Sequence, residues 1–134
     1  MKLIEWDDKY SVSSDIMDDH HKKLFDIYNN LYTHINQGKG ITVVGETLDE
    51  LIEYSKYHFS EEEALLEKIS FPDLKNHKMQ HMQFIADLVK VHADIESGLE
   101  YVALINLLDT TRKWLQDHIL VDDIKYADFV KIRT

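Results

Sequence analysis

The chain reads as an all-α protein, an up-down-up-down antiparallel four-helix bundle behind an N-terminal arm. Three observations predict this. Apolar residues recur at three- and four-residue steps through most of the 134 residues. Helix breakers are scarce, one proline and four glycines, and they fall mostly at the joints between periodic runs. The joints themselves are short, which makes consecutive helices antiparallel neighbours.

Each element has its own signal. Residues 1–13 form the arm, whose Trp6 and Tyr10 are expected to pack across the bundle as a cap, and residues 14–134 form the bundle. The first helix runs from about Ser14 to Gln37 on the stripe Leu24, Tyr28, Leu31 and Ile35, and stops at the loop signal Gly38-Lys39-Gly40. The second runs from about Thr42 to Ile69 with Leu48, Leu51, Ser55, Leu65 and Ile69 on one stripe. Pro72 marks the next start and puts Asp73 in the first turn, where a carboxylate suits the helix dipole. The third helix continues through Phe84, Leu88, Val91 and Ile95 to Gly98. The fourth carries Leu104, Leu107, Leu108, Trp114 and Leu115 and reaches His118. No repeat, low-complexity stretch or second domain interrupts this pattern, so residues 1–134 read as one domain.

Composition removes several function classes. The chain is long enough to bury a core without staples. It has no cysteine, which excludes disulfides, iron–sulfur clusters, thiolate zinc sites and cysteine nucleophiles. A formal charge of −10 argues against nucleic acid and anionic membranes as partners. No apolar run approaches the roughly 20 residues that span a bilayer. The opening stretch MKLIEWDDKYSVSS holds acidic residues and no long apolar region, so it does not read as a secretory leader. A soluble cytoplasmic protein is expected, and a monomer.

Seven polar residues lie on the apolar stripes: His21, His58, Glu62, His77, His81, His118 and Asp123. A polar side chain in an apolar core costs free energy unless something satisfies it. Residues four apart differ by about 40° around a helix, so His58 and Glu62 point the same way, as do His77 and His81. Measured from the turns at Gly38 and Gly98, the histidines of neighbouring helices stand at similar heights and converge in one layer. Asp123 is harder to place. It follows His118 by five residues, which on an ideal helix turns it roughly 140° away. A break or bend of the fourth helix between Ile119 and Asp122 is therefore predicted.

Imidazoles and carboxylates without thiolate suit iron, zinc or manganese better than Cu(I). A tetrahedral zinc site would use four of the seven ligands and strand three polar side chains. Two metals bridged by two carboxylates use all seven. The site is richer in nitrogen than ferritin-like di-iron centres, where glutamates predominate. Fewer anionic ligands stabilise the ferrous state over the ferryl states of oxygenases, which points to reversible dioxygen binding.

The segments DDHHKKLF, YHFSEE, HKMQH and WLQDHILVDD together resemble hemerythrin, specifically the single-domain bacteriohemerythrins, over almost the whole chain. The resemblance implies a non-haem di-iron protein. In it His77, His81 and His118 hold one iron, and His21 and His58 hold a second with an open position. Glu62 and Asp123 bridge the irons together with an oxo or hydroxo group. Dioxygen would bind reversibly there as a hydroperoxide, and Leu24, Phe59, Trp114, Leu115 and Ile119 match the apolar oxygen pocket. The residue before the first ligand is commonly glutamine in the bacterial proteins and is His20 here. His20 points about 100° off the stripe that carries His21, so His21 is the ligand expected. Glu61 and Glu63 read as a solvated face, and His34 and His92 as solvated or locally bonded.

The implied role is an oxygen carrier or store, a binding protein with dioxygen as partner. Alternatives are an oxygen or redox sensor acting through a partner, and a peroxide- or nitric oxide-reducing enzyme. Sensors of the family are often fused to signalling domains, and none is evident in these residues. The pocket residues are apolar and offer no acid or base, which disfavours catalysis. Iron storage is weaker still, since no acidic cavity or assembly motif stands out.

Overall fold

The computed structural model describes residues 3–133; Met1, Lys2 and Thr134, at the ends of the predicted arm and bundle, lie outside the described residues. Four helical rods form the bundle. They are α1 (Asp15–Asn36), α2 (Gly40–Lys68), α3 (Leu74–Glu96) and a last rod that is helical from Glu100 to Arg133. That rod is α4 (Glu100–Lys113), a π-helical segment (Trp114–Asp123) and α5 (Ile124–Arg133). Helix α1 packs on α2, α2 on α3, α3 on α4, and α4 closes back on α1. No helix of the described residues is long and apolar enough to cross a membrane.

The helix ends have local causes. The Ser14 side chain accepts from the Met17 amide and caps α1, with Asp15 and Asp18 in its first turn. Helices α1, α2 and α3 all stop at a residue of positive φ: Gly38 (73°), Ser70 (56°) and Gly98 (80°). At each stop the following amide reaches back to the last turn, as in Lys39 to His34, Phe71 to Leu66 and Leu99 to Asp94. Glycine announces two of these stops, whereas Ser70 holds the left-handed conformation without that freedom. Gly40, read as loop, is instead the buried first residue of α2. A Cβ there would stand 2.7 Å from Ile35 Cγ1 and 2.9 Å from Leu104 Cδ2. Asp73 also shifts: it is the N-cap position of α3 rather than part of its first turn.

Two apolar clusters fill the bundle. The larger includes Leu24, Tyr28, Leu31, Leu48, Leu51, Phe59, Phe84, Leu88, Leu107, Leu115 and Ile119. The smaller gathers Val12, Met17, Leu66, Phe71, Tyr126 and Ala127. Leu66 is the fully buried residue at that end of α2, while Leu65 and Ile69 of the expected stripe pack against its edge. The arm crosses α1 and reaches the last rod, where its short turn Asp8–Tyr10 contacts the π-helical segment. Ile4 exchanges two 2.8 Å hydrogen bonds with the Asn29 amide side chain, and Tyr10 meets Phe25 edge-on at 4.8 Å.

Candidate metal centre

The polar side chains on the stripes form a compact group among these apolar residues. His21, His58, Glu62, His77, His81, His118 and Asp123 are each no more than 4% exposed. Glu62 divides its two oxygens. Its Oε1 faces His77 Nε2 at 2.7 Å and His81 Nε2 at 3.0 Å, while Oε2 faces His58 Nε2 at 3.3 Å and His21 Nε2 at 3.5 Å. Asp123 divides the same way. Its Oδ1 stands 3.0 Å from both His77 Nε2 and His118 Nε2, and its Oδ2 3.3 Å from His21 Nε2. One donor atom from each of Glu62, His77, His81 and His118 lies within 4.8 Å of all the others, and so do donor atoms of His21, His58 and Glu62.

Asp123 reaches the group without the break expected between Ile119 and Asp122. The chain stays helical there and widens into the π segment Trp114–Asp123. A turn that closes from residue i to i+5 returns five-residue neighbours to one face, so His118 and Asp123 point together.

The short distances are mostly not hydrogen bonds. The Nε2 atoms of His21, His81 and His118 and both oxygens of Asp123 are buried with no hydrogen-bond partner. Leaving such groups unsatisfied costs about 1–3 kcal/mol each, a total that rivals the stability of a whole domain. Donors that crowd together yet do not point at one another are aimed at common points between them. Ligands about 2.1 Å from a metal and at right angles to each other stand about 3 Å apart, which is the spacing found. The residues present therefore fit two metal ions, one beside three histidines and one beside two.

Without metal, the electrostatics show the same convergence. Burial pulls His21 and His77 down, but the facing carboxylates of Asp123 and Glu62 outweigh it and lift them to about 9 and about 10. Burial also opposes ionisation of Glu62 and Asp123, yet the surrounding histidines hold both below the ordinary carboxylate range. His58 moves down because burial dominates.

An outer layer of partners was missed in the sequence. Glu63 is not part of a solvated face: its Oε2 is 2.9 Å from His81 Nδ1. Asp122 stands 3.5 Å from His118 Nδ1. Tyr126, fully buried, donates its hydroxyl to Glu62 Oε2 at 3.0 Å, and burial pushes its phenol well above 10. His20 Nδ1 meets His58 Nδ1 at 2.9 Å. Two rings are held flat, Phe59 on His81 with centroids 3.9 Å apart and Trp114 on His118 at 3.8 Å. Glu61 is exposed, His34 bonds the Asn30 carbonyl, and His92 faces Glu96, all away from the group.

The sequence pattern of the hemerythrin HHE cation binding domain matches residues 12–130. The bacteriohemerythrin of Clostridium acetobutylicum is 33% identical over 94% of this chain and 100% of its own length. That of Stenotrophomonas maltophilia is 31% identical, covering 98% of this chain and 84% of its own. A crystal structure of a hemerythrin mutant superposes with a TM-score of 0.80 at 30% identity, over 96% of this chain and 97% of that one. A family match that runs from the arm to α5, on a bundle whose buried histidines and carboxylates have room for cations, places this chain in the hemerythrin family.

Proposed function

We propose that this chain binds dioxygen reversibly at a pair of iron ions, as a cytoplasmic oxygen carrier or store and not as an enzyme. The observation that carries the reading is the division of both carboxylates. Each turns one oxygen to the histidine trio and the other to the histidine pair. His77, His81 and His118 would hold one iron and His21 and His58 the other, with Glu62 and Asp123 bridging. The second iron then has one protein ligand fewer, which is where dioxygen would enter. When bound, the iron pair with its oxo or hydroxo bridge supplies the two electrons that dioxygen takes up and gives back.

The protein's part is to hold and to exclude. Tyr126 fixes the Glu62 carboxylate, and the stacked rings of Phe59 and Trp114 fix the planes of His81 and His118. Leu24, Phe59, Leu115 and Ile119 are buried and Trp114 is half-buried, and as the oxygen pocket they would keep water from the open position. None carries a group that delivers or removes a proton, which supports binding over catalysis.

Visible spectra of reduced, iron-loaded protein before oxygen, after oxygen and after its removal test the reading. Charge-transfer bands that appear with oxygen and vanish on its removal are expected. Bands that settle irreversibly into a ferric spectrum would instead favour sensing or peroxide or nitric oxide chemistry. A colourless protein without iron would end the di-iron reading.

A further inference from the structure

The outer nitrogens of the ligating histidines do not all have the same kind of partner. On the three-histidine side carboxylates stand beside two of them: Glu63 Oε2 bonds His81 Nδ1 at 2.9 Å, and Asp122 Oδ2 lies 3.5 Å from His118 Nδ1 without a hydrogen bond. On the two-histidine side no carboxylate is among the contacts of the outer nitrogens in the described residues. His58 Nδ1 meets another imidazole, His20 Nδ1, at 2.9 Å, and His21 Nδ1 is buried without a partner. His20 is itself held in place. It is 8% exposed, its ring tilted over Tyr57 at 5.3 Å and edge-on to Tyr54 at 6.1 Å.

Donor counting sets the roles in the pair. A metal at the two-histidine position takes the lone pair of His58 Nε2, so the His58 proton must sit on Nδ1. Two nitrogens 2.9 Å apart share one hydrogen, so His20 Nδ1 accepts it and His20 carries its own proton on Nε2. A carboxylate accepting from a ligand imidazole raises that ligand's basicity and favours the higher metal charge; a neutral imidazole does so less.

We propose that His20 is a positioning residue for the two-histidine metal position. By accepting the Nδ1 proton of His58 it aims Nε2 at the metal. As a neutral acceptor it keeps that position easier to hold ferrous than the three-histidine position with its carboxylate partners. The inference rests on the di-iron reading above.

The test uses iron-loaded full-length protein and three variants, reading the affinity of each metal equivalent and the two one-electron reduction potentials. His20→Leu removes the acceptor and should weaken one metal equivalent, and only one, by about tenfold or more. His20→Gln offers an amide oxygen to the same proton and should restore it. His20→Glu places an anion where the neutral ring was, and should lower the potential of one step while leaving the other near its wild-type value. That third variant keeps the question open to measurement even where the leucine variant folds poorly. A role in packing alone would lower the melting temperature without moving a potential. Wild-type protein that takes up two irons, beside variants whose affinities and potentials match it, would overturn the role of His20 alone. Wild-type protein that takes up no second iron would overturn the di-iron reading and this inference with it.

Discussion

His77 is the most shared residue of the centre, since its Nε2 faces Glu62 at 2.7 Å and Asp123 at 3.0 Å, one oxygen of each carboxylate. His77→Ala should take iron content from two per chain towards one. It should also lower melting of the metal-free protein, because breaking a buried ion pair costs about 3–5 kcal/mol. Iron analysis and calorimetry check both, and unchanged values would remove His77 from the site. Ile119 tests the pocket: Ile119→Glu should admit water to the open position and speed autoxidation severalfold, followed by the decay of the oxygenated spectrum. Six of the seven buried ligand candidates could be read from the sequence because each breaks an apolar stripe; Asp123, turned off its stripe on an ideal helix, could not be placed that way. Their outer partners could not either. Glu63 stands in a run of three glutamates, of which Glu61 is exposed, Glu62 is buried and Glu63 lies between, and only tertiary packing separates them. Tyr126 lies beyond the last ligand and has no spacing to mark its bond to Glu62.

At the scale of the element, the readable parts are those with ordinary α geometry. His58 with Glu62 and His77 with His81 obey four-residue spacing, and α2 and α3 keep it. The fourth helix departs from it, and the sequence carries no marker of a π turn, so a break was expected where the helix widens instead. The wide turn holds one residue more than an α-helix would need, and this is open to test. Deleting Val121, which is 58% exposed, should return the segment to α geometry and leave the register of everything after it nearly unchanged, because four α residues turn almost as far as five in the wide turn. His118 and Asp123 would then be four apart and still share a face. Tyr126 and Ala127, at 0% and 3% exposure, would keep their places in the smaller cluster. The expected result is a small change in stability, about 1 kcal/mol or less, measured by denaturant titration. A loss of several kcal/mol would mean that the wide turn holds more than one residue in excess of α geometry.

For the molecule as a whole, the site links proton, metal and fold. In metal-free protein His21 and His77 titrate at about 9 and about 10 instead of 6.5. Their folded values are raised, so their contribution to stability is full below pH 6.5 and is lost as pH rises through 9 to 10. Glu62 and Asp123 are depressed, so theirs is present above the ordinary values of 4.5 and 3.8 and is lost in acid. Metal-free protein should therefore melt highest in mildly acidic solution, and a pH series of melting curves checks this. Metal must displace the protons on His21 and His77. Loading near neutral pH should release close to two protons per chain, measured by pH-stat, and should tighten as pH rises. The fold itself was legible at this scale, because short joints and apolar periodicity leave one simple way to close four rods. The arm was legible only in part: its aromatic residues marked it as packed, while its anchor at Ile4 depends on Asn29, which carries no such mark.

The seven side chains of the centre come from every rod of the bundle, the first at residue 21 and the last at residue 123. A knot of that kind ties together stretches of chain that an unfolded polypeptide would let wander apart, and the gain from such closure grows with the length enclosed. Secreted domains obtain long-range ties from disulfides; this chain has no cysteine with which to make one. On the di-iron reading proposed above, its durability depends on iron supply. A cell short of iron would hold more of the protein in the loosened form that proteases cut, and abundance would follow metal availability before any gene responded.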